Sequence, residues 1–415
     1  MYRSRIADSE LLARLDSAGA VVIEGPKACG KTAMARQIAK SEVLLDIDEN
    51  ARAAIAVDPS LVLYGETPRL LDEWQIEPSI WNHIRRSVDQ RQQTGLYILT
   101  GSAVPADDIS RHTGAGRISR LRLRTMSLFE SGFSSGKISL AALLSGQFSG
   151  SPASAIDIAT LAERICIGGW PGSLDLNIKA GLNAQRDYLE EIRRLDIVRL
   201  DQVRRDPENV ARVIRSLARN VATLVSAKTI AVDAGGSDGA FDDDTVRDYL
   251  FALRRLMVIE DQPAWAPHLR SRSLLRKAPK RHFVDPSLAV AALGADPDRL
   301  LKDIRFFGFL FESMTVRDLR IYAQAADATV SHYRDNTGLE IDAIVEAVNG
   351  RWCAFEIKLG TGKIDEAAAN LIKFKSRIDL TRCGEPGILA VIVNGEYGYL
   401  RKDGVAVIPI GSLGP

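Results

Sequence analysis

The sequence predicts an α/β protein of about two or three domains, and three observations carry this prediction. Apolar runs alternate with helical patterns in the N-terminal part. A glycine-rich loop separates the first apolar run, Ala20–Glu24, from the first helix. Strand-like runs flank a further helix in the C-terminal part. Near-continuous apolar strands separated by helices favour a parallel sheet that is covered on both faces.

The N-terminal strands are short, and turns or helices follow them. The first helix is predicted over Lys31–Lys40, and a later one has Pro78 near its first turn, where a missing N–H costs least. Arg117–Arg124 alternates apolar and basic residues, which is typical of a strand at a sheet edge. The predicted strands are AVVIE (20–24), VLLDI (43–47), RLLD (69–72) and LYILT (96–100).

Changes of composition along the chain predict four modules, and residues 1–135 contain the first of them. Serine, glycine and alanine dominate through Ser154 before helical patterns begin, so residues 136–200 are predicted to form a helical lid. Helices with a strand hairpin predict a winged-helix-like module over residues 201–284. Residues 285–415 predict an α/β domain with a mixed sheet. Its predicted strands are 329–334, 340–346, 352–358, 387–393 and 397–400, with helices at 306–324 and 364–378.

The glycine-rich loop reads GPKACGKT and matches the full phosphate-binding pattern GxxxxGK[ST]. Because it joins an apolar strand to a helix, its backbone N–H groups and the helix N-terminus point toward phosphates. Lys31 is expected to reach the β- and γ-phosphates of ATP, and the Thr32 hydroxyl to hold Mg²⁺. The module 1–135 is therefore predicted to be a P-loop ATPase core. Its predicted nucleotide-binding loop residues are Gly25, Pro26, Lys27, Ala28, Cys29, Gly30, Lys31 and Thr32.

Two acidic residues, Asp72 and Glu73, end the strand RLLD. A carboxylate at the carboxyl end of a parallel strand lies beside the phosphate loop. Asp72 is predicted to orient Mg²⁺ through water, and Glu73 to polarise the attacking water. An ordinary acidic helix cap is the alternative interpretation of this pair.

Polar and basic residues further along the core are candidates for sensing the γ-phosphate. Ser102 closes the next strand and is the predicted sensor, although Thr-Gly-Ser is also ordinary turn chemistry. Arg117, in the sequence GAGR, is the predicted arginine finger, acting in cis or from a neighbouring subunit. Arg111 and Arg120 compete for that role, and a solvated basic face is the alternative.

The motifs GPKACGKT, RLLDEWQ, ILTGSA and GAGR, followed by MSLFESG, together resemble an AAA-type ATPase. Their order is similar to that in a widespread prokaryotic family of predicted ATPases with a C-terminal domain of unknown function. The similarity extends through GGWPG (168–172), GLEIDAIVE and FEIKLG, and so covers nearly the whole chain. The resemblance implies an AAA-like core, a winged-helix module and a nuclease-like C-terminal domain, without a settled biological role.

The C-terminal domain carries an acidic constellation that resembles restriction-endonuclease-like nucleases. Asp342 lies on one predicted strand, Glu356 and Lys358 share a face of the next, and Glu312 lies on the preceding helix. Glu312, Asp342 and Glu356 are predicted to bind Mg²⁺, with Glu340 as a secondary ligand. Lys358 would stabilise a hydroxide or the charge on the phosphorane. An ordinary half-exposed strand, or a fold that binds without cleaving, remains the alternative.

A local basic segment, Arg270–Arg281 (RSRSLLRKAPKR), stands out because the whole chain has 54 basic and 53 acidic residues and a net charge of +1. It lies beside the predicted wing, where it could follow a phosphate backbone, and DNA is the favoured partner. The alternatives are a solvated loop, or pairing with Asp242–Asp244. Winged helices also bind proteins, so an ATP-driven regulatory, defence or toxin switch, or a motor that grips a protein, stays open.

Cysteine usage and hydropathy indicate a cytoplasmic protein without a membrane partner. The four cysteines are scattered, with no CxxC pair. The sequence has no signal-peptide-like stretch at its start and no apolar run that approaches the roughly 18 residues of a membrane span. A homo-oligomer is expected as one possibility, because AAA-type sites are often completed by a neighbouring subunit, and a monomer with a cis arginine is the other.

Overall fold

A computed structural model describes residues 2–101, 114–151, 156–200, 205–236, 239, 241–267 and 278–415 of the chain. The chain divides into two compact units. Unit 1 consists of the residues up to Thr125 together with Leu195–Arg204 and Ala252–Val258. Unit 2 consists of Met126–Arg194, Arg205–Phe251 and Ile259–Pro415. The four modules predicted from composition follow other boundaries, and their limits stay a prediction.

Unit 1 is built on a five-stranded sheet of order β2-β3-β4-β1-β5, and all of its pairings are parallel. The predicted parallel sheet is therefore confirmed, and β5 is the edge strand that the apolar and basic alternation indicated. β1 and β3 have the predicted bounds, whereas β2 lies two to three residues earlier than predicted and β4 one residue later. The strands are β1 (Ala20–Glu24), β2 (Ser41–Leu44), β3 (Arg69–Asp72), β4 (Tyr97–Gly101) and β5 (Ile118–Arg122).

Helices cover this sheet because apolar side chains on both of its faces must be buried. On one face Trp74 and Trp81 pack with their ring centroids 5.0 Å apart. The first helix after the phosphate loop ends earlier than predicted, at Ala35, because the chain tightens there into turns that lead to β2. The helices of unit 1 are α1 (Ala7–Ser17), α2 (Lys31–Ala35), α3 (Glu49–Val57), α4 (Ile80–Arg91) and the short α8 (Ile197–Arg199), with 3₁₀ turns at Pro59–Leu63 and Trp74–Ile76.

Unit 2 contains a six-stranded mixed sheet of order β11-β12-β10-β9-β8-β7. β7, β8 and β9 are antiparallel, whereas β10 is parallel to both β9 and β12. The mixed sheet is confirmed, and the sequence analysis missed β6, β12 and β13. The strands are β6 (Ile138–Ser139), β7 (Ala328–Arg334), β8 (Glu340–Ala347), β9 (Trp352–Lys358), β10 (Leu389–Val393), β11 (Tyr399–Leu400), β12 (Ala406–Pro409) and β13 (Leu413–Gly414).

Two long helices pack on this mixed sheet. α14 (Ile304–Ala325) lies against β7, β8 and β9, and α15 (Ile364–Arg377) connects β9 to β10 and lies against both. Phe374 of α15 packs against Trp352 of β9 with ring centroids 6.1 Å apart. The aromatic and aliphatic side chains of α15 and the sheet form one core cluster. α14 thereby holds Glu312 against the strands that carry the other predicted site residues.

Shorter helices make up the rest of unit 2, and several begin at an Asp, Asn or Ser cap, as at Asp157 and Asn177. Isolated bridges join Thr223 to Arg281, Ile259 to Phe283 and Gln262 to Lys280. These bridges lie where a strand hairpin was predicted. The helices are α5 (Leu140–Leu144), α6 (Ile158–Ile167), α7 (Ile178–Glu191), α9 (Pro207–Arg219), α10 (Ala227–Gly235), α11 (Asp243–Arg255, shared with unit 1), α12 (Ser287–Ala292), α13 (Pro297–Lys302) and α16 (Leu380–Cys383). Across the described segments, no helix combines the length and the apolar character that crossing a membrane requires.

Candidate functional site

The glycine-rich loop leaves the carboxyl end of β1 and enters α2, as the motif predicts. Gly25 must be glycine, because a Cβ there would lie 2.2 Å from the carbonyl oxygen of Leu123. Gly30, just before α2, has a left-handed φ of 102°. Cys29 is buried and its thiol lies 3.6 Å from the same Leu123 carbonyl oxygen, so it fills space beneath the loop.

Lys31 is the first residue of α2, and its side chain folds back over the loop. Its ammonium group donates hydrogen bonds to the carbonyl oxygens of Gly25, at 3.0 Å, and Pro26, at 2.8 Å. Only 5% of the residue is exposed. The amine is therefore held against the backbone of the loop, whose N–H groups are expected to bind phosphates.

Asp72, at the end of β3, is the centre of a hydrogen-bonded group beside the loop. The Thr32 hydroxyl donates to its Oδ1 at 2.8 Å, so the structure brings together the two predicted Mg²⁺ residues. The Thr100 hydroxyl donates to the same oxygen from β4. Thr100 was missed by the sequence analysis, which selected Ser102, a residue outside the described segments. The register of β3 against β4 could have identified Thr100, since Asp72 and Thr100 are direct partners across these neighbouring parallel strands.

Glu73 follows Asp72 in a left-handed backbone conformation, with φ of 53°. This conformation costs a residue other than glycine about 1 kcal/mol or more. The Gln75 amide donates a hydrogen bond to the Glu73 carboxylate. The catalytic role of Glu73 stays a prediction.

Arg117 lies at the amino-terminal end of the parallel strands, opposite the end at which the phosphate loop lies. It immediately precedes β5, which runs parallel to β1, and the loop follows the far end of β1. Its side chain is exposed and pairs with Asp89 at 2.7 Å. Arg117 thus does not line the loop of its own chain, and a role toward a neighbouring subunit stays a prediction. Arg120 pairs with Glu24, and Arg111 lies outside the described residues.

Lys27, inside the loop, makes an ion pair that the sequence analysis did not anticipate. Its ammonium group contacts Asp196, which precedes the short helix α8 of unit 1. Only 4% of Asp196 is exposed, and its Oδ2 atom has no hydrogen-bond partner among the described residues. The loop is therefore tied to a residue 169 positions away in the sequence, a separation at which sequence pattern gives no signal.

In unit 2 the predicted C-terminal residues do meet. Lys358 on β9 contacts Asp342 Oδ2 on β8 at 3.0 Å and Glu356 Oε2 at 2.6 Å. The backbone N–H of Ile357 donates to Asp342 Oδ2 at 2.9 Å. Asn370 of α15 donates to Glu356 Oε1 at 2.5 Å. Period-two alternation thus placed Glu356 and Lys358 correctly on one face.

Lys280 is the residue of this cluster that the sequence analysis misinterpreted. It was counted with the basic segment, but only 3% of it is exposed. Its ammonium group lies 2.7 Å from Glu312 Oε1 and 3.3 Å from Asp342 Oδ1. We name Lys280, Glu312, Asp342, Glu356 and Lys358 the acid–lysine cluster.

Burial and mutual charge shift the pKa values of this cluster in opposite directions. Burial raises the pKa of Glu312 to about 7 against the opposing effect of Lys280. Burial and the neighbouring Asp342 raise the pKa of Glu356 to about 8. Burial opposes the charged form of Asp342 as well, but the two lysines hold its pKa below the usual range. Neighbouring carboxylates raise the pKa of both lysines despite burial: Glu312 and then Asp342 act on Lys280, and Asp342 and then Glu356 act on Lys358.

A cavity of about 520 Å³ opens beside the acid–lysine cluster, within unit 2. Its lining includes Lys280, Glu312, Asp342 and Lys358 of the cluster, together with Asn220 and residues 222–225. Within the described part of the chain, no group of three or more His, Cys, Asp or Glu side chains is arranged to hold a metal ion. The three predicted Mg²⁺ ligands thus approach one another with lysine amines between them.

The basic segment is described only at its end, since residues 268–277 lie outside the described residues. There Lys280 is buried, and Arg281 pairs with Asp261 with little exposure. These two residues are therefore not part of an exposed basic surface, which corrects that portion of the prediction. Of the acidic stretch proposed as a partner, Asp244 pairs with Arg247 at 3.0 Å.

Comparison with known families agrees with the geometry of the loop. Residues 17–131 match the family model described as AAA domain. This segment is similar to an AAA domain and contains the phosphate-binding loop, and we call it the AAA domain. Residues 158–299 match a domain of unknown function (DUF8612), and residues 307–413 match another (DUF4143). An ATPase function is thus supported for the AAA domain, and the two other matches assign no activity.

Whole-chain similarity extends to curated mycobacterial proteins. Uncharacterized proteins Mb2031c of Mycobacterium bovis and Rv2008c of Mycobacterium tuberculosis are each 25% identical over 420 residues, covering 100% of this chain and 85% of theirs. Among solved structures, a Walker-type ATPase of Pyrococcus abyssi is 12% identical, with a TM-score of 0.41, over 69% of this chain and 94% of that one. A STAND protein of Pyrococcus horikoshii with a tetratricopeptide repeat sensor is 15% identical, with a TM-score of 0.26, over 78% and 48%.

The AAA domain offers oxygen ligands that fit Mg²⁺. The Thr32 hydroxyl and the Asp72 carboxylate are already in contact beside the loop, and hard oxygen donors next to substrate phosphates are the usual Mg²⁺ environment. Thr32 and Asp72 would hold the ion, which would neutralise charge on the phosphates.

Asp196→Asn is expected to tighten ATP binding to the AAA domain by roughly fivefold, or about 1 kcal/mol. The reason is that a buried carboxylate beside the phosphate loop repels the negative phosphates, and the substitution removes that charge while keeping the shape. Titration with a fluorescent ATP analogue measures the change. Asp187→Asn, at an exposed position on α7, is the matched control. Weaker binding by Asp196→Asn would instead show that the Lys27–Asp196 pair holds the loop in its binding conformation.

Proposed function

We propose that this protein is a Mg²⁺-dependent ATPase whose nucleotide state controls the binding of nucleic acid, with DNA favoured, by unit 2. The observation that carries the ATPase part is the Asp72 carboxylate, which accepts the hydroxyls of Thr32 and Thr100 beside the phosphate loop. A buried acid with this pairing is arranged to respond to a nucleotide. The AAA domain match over residues 17–131 gives independent support.

In the proposed reaction, the γ-phosphate of ATP is transferred to water. Lys31 exchanges its hydrogen bonds to Gly25 and Pro26 for the β- and γ-phosphates, and so offsets their charge. Glu73 orients the attacking water and accepts its proton. Thr100 is hydrogen-bonded to Asp72 and couples nucleotide binding to β4. Ser102, the predicted sensor of the γ-phosphate, follows directly after that strand in the sequence.

In this proposal a neighbouring subunit completes the site, because Arg117 of the same chain pairs with Asp89 and does not line the phosphate loop. Arg117 is exposed, so another copy of the chain can contact it. A homo-oligomer is accordingly part of the proposal.

Support for a nucleic-acid partner comes from unit 2. The sequence concentrates Arg270, Arg272, Arg276 and Lys277 in one short segment of a chain whose net charge is only +1. The chain before this segment and the chain after it are joined by an isolated antiparallel bridge between Gln262 and Lys280. The two strands of a wing would pair in the same way. Positive charge carried on such a connection can follow a phosphate backbone.

The strand order of the mixed sheet in unit 2 supports a nuclease-like fold. We propose that this sheet serves to bind nucleic acid and does not cleave it. β7, β8 and β9 are antiparallel, and β10 joins β9 in parallel through α15, with Asp342, Glu356 and Lys358 on adjoining strands. This order is consistent with the restriction-endonuclease-like domain that the sequence pattern resembles. Binding is favoured over cleavage because lysine amines stand between the carboxylates that a metal would need.

The double variant Arg272→Glu/Arg276→Glu is expected to lose roughly tenfold or more in affinity for nucleic acid, because two cationic contacts become repulsive. Fluorescence anisotropy with labelled single-stranded DNA, double-stranded DNA and RNA measures the affinity at several salt concentrations. Each titration is run without nucleotide, with ADP and with a non-hydrolysable ATP analogue. Wild-type affinity should fall with salt and differ between the nucleotide states.

Two further variants separate the parts of this proposal. Lys373→Glu/Lys402→Glu changes the same charge at exposed positions of unit 2 and should bind like the wild type. Lys31→Ala should bind nucleic acid in a nucleotide-independent manner. The absence of salt-dependent binding to every nucleic acid in every nucleotide state, with ATP hydrolysis intact, would exclude the nucleic-acid partner and favour a protein partner.

A further inference from the structure

The ammonium group of Lys280 lies where the Glu312 and Asp342 carboxylates converge, at 2.7 and 3.3 Å. The backbone fixes this position, because the N–H groups of Lys280 and Gln262 each donate to the other residue's carbonyl oxygen, at 3.0 and 2.9 Å. Gln262 also donates through its side chain to the carbonyl oxygen of Asp342, at 3.0 Å. The segment that carries Lys280 is thus attached to β8, the strand that carries Asp342.

The remaining carboxylate oxygens are also engaged. Asp342 Oδ2 accepts from Lys358 and from the backbone N–H of Ile357, and Glu356 accepts from Lys358 and Asn370. A divalent cation needs several oxygen ligands with free lone pairs around one point and a net negative charge there. In the acid–lysine cluster that point is filled by a cation that belongs to the protein.

We infer that Lys280 takes the place of a divalent metal ion in the acid–lysine cluster. The cluster therefore holds no Mg²⁺ while Lys280 is present, and it does not carry out metal-dependent phosphodiester cleavage. This property is independent of which partner unit 2 binds. It separates the cluster from the nuclease sites that its Asp and Glu-x-Lys pattern resembles.

Displacement of the lysine by an arriving metal ion is disfavoured by burial. Lys280 would have to leave two carboxylates in the interior, and removing one partner of a buried ion pair is strongly unfavourable. The ammonium would also have to find a new partner, since only 3% of the residue is exposed. Binding of a metal ion would have to offset both of these free-energy costs and the electrostatic repulsion from Lys358.

Lys280→Met and the more conservative Lys280→Gln test this inference, because both remove the ammonium group that occupies the metal position. Mn²⁺ binding to the nucleotide-free full-length chain is measured by electron paramagnetic resonance of the unbound ion. The wild type is expected to bind Mn²⁺ at this cluster at least tenfold more weakly than either variant. Each variant is expected to bind one Mn²⁺ per chain and to gain thermal stability from it.

The control is Lys280→Gln/Asp342→Asn, in which the gained Mn²⁺ binding should be lost. Lys373→Met, at an exposed lysine of α15, should behave like the wild type. Wild-type Mn²⁺ binding that Asp342→Asn abolishes would overturn the inference, and this result does not depend on whether the Lys280 variants fold. Folded Lys280 variants that gain no Mn²⁺ binding would overturn it as well.

Discussion

Asp72→Asn is expected to reduce the rate of ATP hydrolysis by on the order of a hundredfold or more while the chain stays folded. The amide keeps the volume of the carboxylate but removes the charge that would act on Mg²⁺ and its water. It also alters a buried hydrogen-bonded group, because Asp72 accepts from both Thr32 and Thr100 and only 8% of it is exposed.

The expected loss lies in kcat more than in ATP affinity. Binding draws on the backbone of the phosphate loop and on Lys31, neither of which the substitution touches, whereas Asp72 acts on charge that develops during transfer. Steady-state hydrolysis measured across ATP and Mg²⁺ concentrations separates the two parameters.

Asp46→Asn is the matched control, because Asp46 is an exposed residue of the same unit. It should leave kcat and KM unchanged. Unchanged hydrolysis in Asp72→Asn would contradict the assignment of this carboxylate, and a lowered melting temperature would attribute the loss to folding instead.

The arrangement of the residues in the candidate nucleotide site was largely predictable, because the information that fixes it is local in the sequence. The residues from Gly25 to Thr32 are consecutive and run from the end of β1 into the start of α2. Asp72 was found because the carboxyl ends of parallel strands meet at one edge of a sheet. The same argument applies to Thr100, since it pairs in register with Asp72, but the turn residue Ser102 was predicted as the sensor instead.

The contacts that were missed join residues far apart in the chain. Lys27 meets Asp196, and Lys280 meets Glu312 and Asp342, and no periodicity links these positions. Lys280 was predicted to contact nucleic acid as part of the basic segment, whereas tertiary packing places it among buried acids. The strands β6 and β13, each of two residues, are too short for a hydropathy pattern to reveal.

Arg317→Met is expected to lower the free energy of unfolding of unit 2 by about 3–5 kcal/mol, because it removes the cation that two buried carboxylates share. Arg317 contacts Asp285 Oδ2 at 2.8 Å and Asp318 Oδ1 at 2.7 Å, and both aspartates are completely buried. Flanked by these aspartates, Arg317 has a pKa above its ordinary value despite burial, so its charge is permanent.

The two aspartates connect Arg317 to motifs from the sequence analysis that have no place in the ATP site. Asp285 accepts the backbone N–H of Gly169 at 2.9 Å, within GGWPG, and Asp318 accepts that of Leu128 at 2.9 Å, within MSLFESG. Trp170 donates to the Ser287 hydroxyl at 3.0 Å. These motifs are therefore explained by a buried polar network that holds unit 2 together.

Urea unfolding followed by tryptophan fluorescence measures the effect of Arg317→Met. Arg305→Met, at an exposed position on the same helix α14, is the matched control and should change stability by no more than about 0.5 kcal/mol. A loss below about 1 kcal/mol in Arg317→Met would contradict the role of the network.

The double variant Arg317→Met/Asp318→Leu distinguishes a network from a simple loss of packing. Breaking a buried ion pair leaves an uncompensated charge, whereas replacing both partners by apolar side chains removes that charge. The double variant should therefore be destabilised by less than the sum of its single variants. Recovery should be incomplete, because the Leu128 N–H loses the carboxylate that accepts it and Asp285 loses its ion pair with Arg317.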